Sequence, residues 1–199
     1  MTREGRTENY AKRQEKNFPD TPGFPQSGSD AWVQVDKRKV VGYNTFKERE
    51  GLIAIRRLRL YLDNCCFNRP FDDQTQLKIH LETEAKVSVQ QKIMDGLYEL
   101  VWSYVLDYEN GLNPFPERKH RISFWKNLSV IACDETEEIL IEAEKLQAIG
   151  IKMFDSLHIA CAVNTNCDYF LTTDKGILKK HITTIQAVDP IEFVKREYI

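Results

Sequence analysis

The chain has 199 residues, 42% of them hydrophobic and 29% charged, which is the composition of a globular domain able to bury its own core and excludes collagen-like, wholly disordered and ordinary two-domain chains. Its 28 basic and 30 acidic residues give a net charge of -2, so no global basic field announces a nucleic-acid partner; such a partner must be held by local patches or by metal ions. No run approaches the roughly 18 consecutive apolar residues of a membrane helix, and the charged N-terminal stretch lacks the apolar core of a signal peptide, so a cytoplasmic protein with no membrane partner is expected.

Residues 1–56 read as an N-terminal extension, flexible or partner-binding. Pro19, Pro22, Pro25, Gly23 and Gly28 crowd its polar first half, a composition that cannot close a core. Further on, Trp32, Val33 and Val35, then Val40, Val41 and Tyr43, flank a turn-like Asp36-Lys37-Arg38, the pattern of a small hairpin or a partner-binding arm. The domain proper is expected over 57–199. RLRLYL, ending at Asp63, reads as a buried strand, followed by a loop with Pro70. From Gln74 to Leu97, the residues Leu77, Leu81, Ala85, Val89 and Ile93 recur at every fourth position and predict a core-facing helix stopped by Gly96.

YELVWS (98–103) reads as a second strand and LSVIAC (128–133) as a third, with a helical stretch around Glu109 and a basic one at 117–126 between them. Asp134 and Glu137 have the spacing of an N-cap and its N3 partner ahead of a helix that Gly150 ends. Another helix is expected from Phe154 to about Asn164. YFLTT (169–173) and TTIQAV (183–188) follow as strands, and Asp189-Pro190 opens a last helix. Strands alternating with helices predict an α/β fold, a three-layer α/β/α sandwich with a mainly parallel sheet of about five strands.

In such a sheet the ligand site lies outside the carboxyl ends of the strands, at the switch in strand order. Asp63 and Asp174 each stand where an apolar strand ends, and Glu109 and Asp155 fit the same rim. Any one of them alone is an ordinary turn or helix-cap acid; Asp155 departs from that reading because the apolar run around it suggests burial, and a buried carboxylate needs a partner. If the acids converge, their repulsion calls for a cation or for protonation. Oxygen donors without a matching His or Cys set select Mg2+ or Mn2+, and the expected chemistry is water attack on a phosphodiester. The five cysteines include an adjacent pair, Cys65-Cys66, and no C-x-x-C spacing, so they read as reduced thiols rather than a zinc site.

These residues resemble those of the PIN domain nucleases. The resemblance rests on YLDNCCFNRPFDD (61–73), SYVLDYE (103–109), FDSLHIACAV (154–163) and DYFLTTD (168–174), in that order, over roughly residues 57–195. It implies a metal-dependent ribonuclease, similar to the VapC-like toxins that a cognate antitoxin neutralises, with homodimerisation left open. The family's acidic quartet falls on Asp63, Glu109, Asp155 and Asp174, and its small polar residue beside the last acid matches Thr172; Asn64 and Ser103 are further supporting residues. Where the family has Asp-x-Asn, this chain has Asp63-Asn64-Cys65, so the role of the Asn in holding the first carboxylate is vacant or passes to Asn64 or Asn68.

Glu84, Asp107, Asp72 and Asp168 are acids able to replace an assigned ligand. Arg69 and Lys175 adjoin rim acids and are the best RNA contacts, ahead of Arg118, Lys119, Arg121, Lys179 and Lys180. Phe67 and Phe71 are candidates to stack on bases, and His158, one helical turn from Asp155, is placed either to orient it or to sit in the core. Two other functions compete. A haloacid-dehalogenase-type phosphatase needs a second Asp where Cys65 stands. A non-catalytic PIN-like module that binds RNA or protein is favoured by the Cys65 departure and opposed by the intact quartet.

Overall fold

The computed structural model describes residues 56–197; the expected extension and its hairpin or partner-binding arm lie outside the described residues. Strand β1 (Leu58–Leu62) leads through Asp63 into α1 (Asn64–Asn68) and a 3-10 turn at Arg69–Phe71. The stretch expected as a loop is therefore helical, with Pro70 in the first turn of the 3-10 segment, where its missing N–H is no loss. Helix α2 (Leu77–Met94) follows, then β2 (Tyr98–Ser103) and α3 (Tyr104–Gly111). Next come α4 (Pro116–Ser123), a 3-10 segment at Phe124–Leu128 and β3 (Ile131–Cys133). The chain continues with α5 (Glu137–Ala148), α6 (Met153–Asn164), β4 (Tyr169–Leu171), α7 (Lys175–Leu178), β5 (Gln186–Val188) and α8 (Pro190–Glu197).

All five strands are parallel, in the order β3-β2-β1-β4-β5. The expected α/β fold and its sheet of about five strands are observed, although β3, β4 and β5 are each shorter than their apolar runs. The chain builds outward from β1 through β2 to β3, then returns to the other flank of β1 with β4. The switch in strand order lies between β1 and β4, and Asp63 follows the first while Asp174 follows the second. Central strands of a parallel sheet are covered on both faces and need apolar side chains throughout. Leu60, Tyr61 and Leu62 are accordingly fully buried, as are Leu100, Val101 and Phe170.

Helix α2 departs from its expected stripe. Four residues overshoot a 3.6-residue turn by about 40°, so a strict every-fourth pattern drifts around the helix. Leu77 and Leu81 are exposed, and only Val89 and Ile93 of the stripe are buried. The buried face carries Glu82, Thr83, Lys86 and Gln90 as well. Glu82 is held by Arg69 at 3.0 Å and Lys78 at 3.1 Å, while burial pulls the Lys86 ammonium down to about 7. The helix stops as expected: Gly96 has φ 72°, and the Leu97 N–H reaches back to the Lys92 carbonyl.

The cap of α5 also moves. Thr136, not Asp134, is the N-cap, and its Oγ1 accepts from the Ile139 N–H at 3.4 Å. Asp189 fulfils its expected role at α8, accepting from the Glu192 N–H at 3.0 Å.

Candidate active site

Parallel pairing of Leu62 with Leu171 brings the ends of β1 and β4 side by side. The Asp63 N–H continues the ladder to the Leu171 carbonyl at 2.9 Å. The next residue on β4's side, Thr172, donates its hydroxyl to Asp63 Oδ2 at 2.7 Å. Cys65 Sγ donates to the same oxygen at 3.1 Å and in turn accepts from the Thr173 N–H at 3.2 Å. Cys65 itself, together with Thr172, thus fixes the first carboxylate, and the role expected to fall vacant or pass to Asn64 or Asn68 is filled by a thiol. Thr172 Oγ1 also accepts from the Asp174 N–H at 3.0 Å, tying the last acid to the first. Asp174 caps α7, its carboxylate accepting from the Gly176 N–H.

Glu109 reaches the rim from α3. Ser103 ends β2 and is the N-cap of that helix, accepting from the Leu106 N–H at 3.3 Å. Behind Glu109 runs a buried chain: His158 Nε2 lies 2.9 Å from Glu109 Oε2, His158 Nδ1 lies 2.7 Å from the Tyr61 hydroxyl, and that hydroxyl lies 2.5 Å from Ser103 Oγ. Burial pushes the Tyr61 phenol well above its usual range, so it remains a neutral donor. With a neutral imidazole the directions close without conflict. Ser103 donates to Tyr61, Tyr61 to Nδ1, and the Nε2 proton to the Glu109 carboxylate. Partial burial of Glu109 raises its pKa, but the hydrogen bond from His158, the charge of the imidazole when protonated and a hydrogen bond from Asn64 outweigh it and hold the carboxyl below its ordinary value. His158 therefore holds Glu109 rather than orienting Asp155.

Asp155 lies in the first turn of α6, half-buried. Desolvation raises its pKa, and the charges of Asp63 and Asp174 raise it further, against smaller opposing effects of Lys152 and His158. Asp155 therefore lies within electrostatic reach of both Asp63 and Asp174. Ligand atoms of Asp63, Glu109 and His158 lie within 4.8 Å of one another, the one such cluster among the described residues, with Asp155 and Asp174 outside that tight trio. Both His158 nitrogens are already engaged, so the donors free to face an ion are carboxylate oxygens. A set of oxygens with unrelieved mutual repulsion fits a hard divalent cation.

Of the four acids named as substitutes, three are engaged elsewhere and one faces solvent. Glu84 is exposed on α2. Asp107 accepts from the Trp102 indole at 2.9 Å and pairs with Lys126 at 2.7 Å. Asp72 pairs with Arg69 at 2.9 Å. Asp168 binds the Arg59 N–H at 2.8 Å, at the opposite rim of the sheet. Of the basic candidates, Arg69 is tied to Asp72, Glu82 and the Thr173 hydroxyl, whereas Lys175 is exposed beside Asp174. Arg118 lies over the rings of Phe71 and Phe115, at 5.1 and 4.2 Å. Phe67, expected as a base-stacking candidate, is in the core against Trp102 and Trp125.

Sequence reading did not assign two contributors. Tyr61 was legible only as a strand residue, since its hydroxyl contacts cross from β1 to β2 and α6. Cys65 was legible only as a departure from a pattern.

The family model described as PIN domain matches residues 60–181, well over half of the chain. The chain belongs to the PIN domain family. In this PIN domain the match spans all four acids and the Cys65, Tyr61 and His158 side chains that hold them. A solved structure of VapBC2 from Rickettsia felis, bound to a DNA fragment from their promoter, is similar over 66% of this chain and 98% of that one, with 10% sequence identity and a TM-score of 0.43. No curated protein matches the sequence.

Proposed function

We propose that this PIN domain is a metal-dependent endoribonuclease that hydrolyses RNA phosphodiester bonds, the toxin half of a toxin–antitoxin pair. The observation that carries the nuclease reading is the gathering of acids at the strand-order switch: Thr172 ties Asp174 to Asp63, the charges of both act on Asp155, and Glu109 is held toward the same rim. The toxin role rests on the VapC-like order of the four motifs and implies a cognate antitoxin as partner. Asp63, Glu109, Asp155 and Asp174 would hold Mg2+ or Mn2+. Such an ion supplies charge stabilisation for the attacking and leaving oxygens of a phosphodiester and makes water a competent nucleophile at neutral pH.

This chain's own residues prepare the site. Thr172 and Cys65 fix the orientation of Asp63, and the Ser103–Tyr61–His158 chain keeps Glu109 ionised and aimed outward. The acids repel a polyanion in the absence of a cation, so substrate binding and metal binding are coupled. The non-catalytic alternative drew its support from the Cys65 departure, and that support weakens once Cys65 Sγ stands 3.1 Å from the Asp63 carboxylate. Incubation of the protein with single-stranded RNA should give cleavage with Mn2+ or Mg2+ and none in excess EDTA. Cleavage that continues unchanged in chelator would remove the metal-dependent reading.

A further inference from the structure

Two aromatic rings stand exposed beside the acids, and neither the PIN family match nor the motif resemblance assigns them a role. Tyr108 precedes Glu109 on α3, and Phe154 precedes Asp155 on α6. Their rings stack on each other, with centroids 5.5 Å apart and planes only 10° from parallel. Tyr108 is 53% exposed and Phe154 36% exposed. A stacked pair packed only to stabilise the contact between two helices would be covered by its neighbours, as Tyr61 and Phe170 are in the core. Here both residues keep a large share of their surface in water.

We propose that Tyr108 and Phe154 form a platform on which an unpaired nucleobase of single-stranded RNA stacks while the adjoining phosphate lies at the acidic site. The inference rests on the nuclease reading above and goes beyond it by assigning a base subsite.

Three features favour this occupant. Each ring belongs to the residue next to a proposed ligand, with consecutive Cα atoms about 3.8 Å apart, so the stacked pair joins α3 and α6 at the same turns that carry Glu109 and Asp155. The two rings already lie parallel, which fixes the platform before binding, so a flat π-system can add to it with little further ordering of side chains. Lys152, exposed at the N-cap of α6, acts electrostatically on Asp155 and supplies a cation for a backbone phosphate next to the rings. The aromatic residues singled out from sequence are used elsewhere: Phe67 lies in the core and Phe71 lies under Arg118. Stacking is tolerant of base identity, because every base offers a π-face, so the platform would contribute affinity and register more than sequence choice.

The test uses the full chain and ten-nucleotide single-stranded RNAs in which 2-aminopurine is moved position by position, with matched RNAs carrying an abasic site at the responding position. Binding is read by fluorescence in Ca2+ and cleavage in Mn2+. With the wild type, one position should be quenched. In the Tyr108→Ala/Phe154→Ala variant the quenching should vanish and binding should weaken about tenfold or more. The Tyr108→Phe/Phe154→Tyr variant should behave as wild type. The abasic RNA should bind wild type and alanine variant alike. An alanine variant that binds the intact RNA as tightly as the wild type, or loses the same affinity for the abasic RNA, overturns the platform while leaving metal-dependent cleavage standing. A change in molecular mass on sedimentation caused by the alanine variant also overturns it, because the rings would then be a protein contact. Wild-type protein that neither binds nor cleaves any of these RNAs removes the nuclease reading and the platform together.

Discussion

At Asp155 an ordinary helix-cap acid and a metal ligand make opposite demands on stability. Its carboxyl is raised by desolvation and by Asp63 and Asp174, and an acid whose folded pKa lies above its unfolded value costs stability at any pH above the folded value; that cost fades as pH falls through the two values. Asp155→Asn keeps the size and removes the charge. Without metal the variant should therefore melt at the wild-type temperature or above it, while Mn2+-dependent cleavage falls about a thousandfold or more and the stabilisation conferred by Mn2+ shrinks. A loss of stability that is equal with and without Mn2+, with turnover intact, would make Asp155 a structural acid. Glu109 obeys the opposite sign. Its folded pKa is lowered, so it contributes stability above its unfolded value and loses it as pH falls through the folded one. His158→Ala removes the partner that lowers it and strands the buried Tyr61 hydroxyl, at a cost of about 1–3 kcal/mol. The gap between variant and wild type should narrow on acidification below the ordinary glutamate value, and the Mn2+ concentration for half-maximal cleavage should rise. If melting shifts but the Mn2+ requirement does not, His158 serves the core alone. Asp63, Asp174 and Asp155 stood out in the sequence because the first two follow apolar strands and the third opens an apolar helix, whereas Glu109, near the end of α3, was placed by the motif resemblance. The Tyr61 hydroxyl and the His158 imidazole were not legible as supports of Glu109, because their contacts span 42 to 97 residues of chain, and the Cys65 thiol, only two residues from Asp63, matched no expected pattern.

Among the elements, α2 is where periodicity misleads. Leu77 and Leu81 look like core residues and face water, while Glu82 and Lys86 look like surface residues and are buried. Hydrophobic pattern registers side-chain type, but the face a helix buries is set by what packs on it, and here Arg69 from the 3-10 turn supplies a partner that makes a buried Glu82 tolerable. Among the described residues Lys86 has no equivalent carboxylate: desolvation lowers its pKa to about 7, offset only in part by the Cys66 sulfur on α1. A lysine so lowered destabilises the fold fully below pH 7, and the cost disappears as pH rises toward its unfolded value near 10.5. Lys86→Met keeps the buried stem and removes the charge. It should raise stability at pH 6–7 by a few kcal/mol at most and confer little at pH 10, read from urea melts at the two pH values. An advantage that does not vary with pH would mean that Lys86 keeps its ordinary pKa in the native protein, its charge compensated by an anion. The strands were more legible than this helix. A central parallel strand is buried on both faces and reads as an apolar run whatever its register, as RLRLYL and YELVWS do. The short edge strands β3 and β5 keep only three paired residues each, because their flanks turn toward loops that the apolar pattern does not distinguish.

For the whole molecule, the core runs from Leu60 to Phe193 and includes Trp102, Tyr61, Phe67 and Phe170 as fully or nearly fully buried side chains, each contributing roughly 1.5–3 kcal/mol by removal from water. Every proposed ligand and every strand, apart from the first two residues of β1, falls inside the same stretch, and among the described residues no helix is long and apolar enough to cross a membrane. The boundary near residue 56 remains our proposal, and deletion of residues 1–50 tests it. Because the sheet closes on its own helices, the shortened chain should remain soluble, melt cooperatively, and keep Mn2+-dependent cleavage at the wild-type rate. A stability loss of 1 kcal/mol or less appears as a drop of only about 2–8 °C for a domain of this size. A larger drop, or an insoluble product, would show that residues 1–50 cover part of the core and that the domain begins earlier. Unchanged melting with lost cleavage would instead place a substrate contact in the deleted segment, and restoring residues 31–50 alone would then show whether the tract of Trp32, Val35, Val40 and Tyr43 carries it.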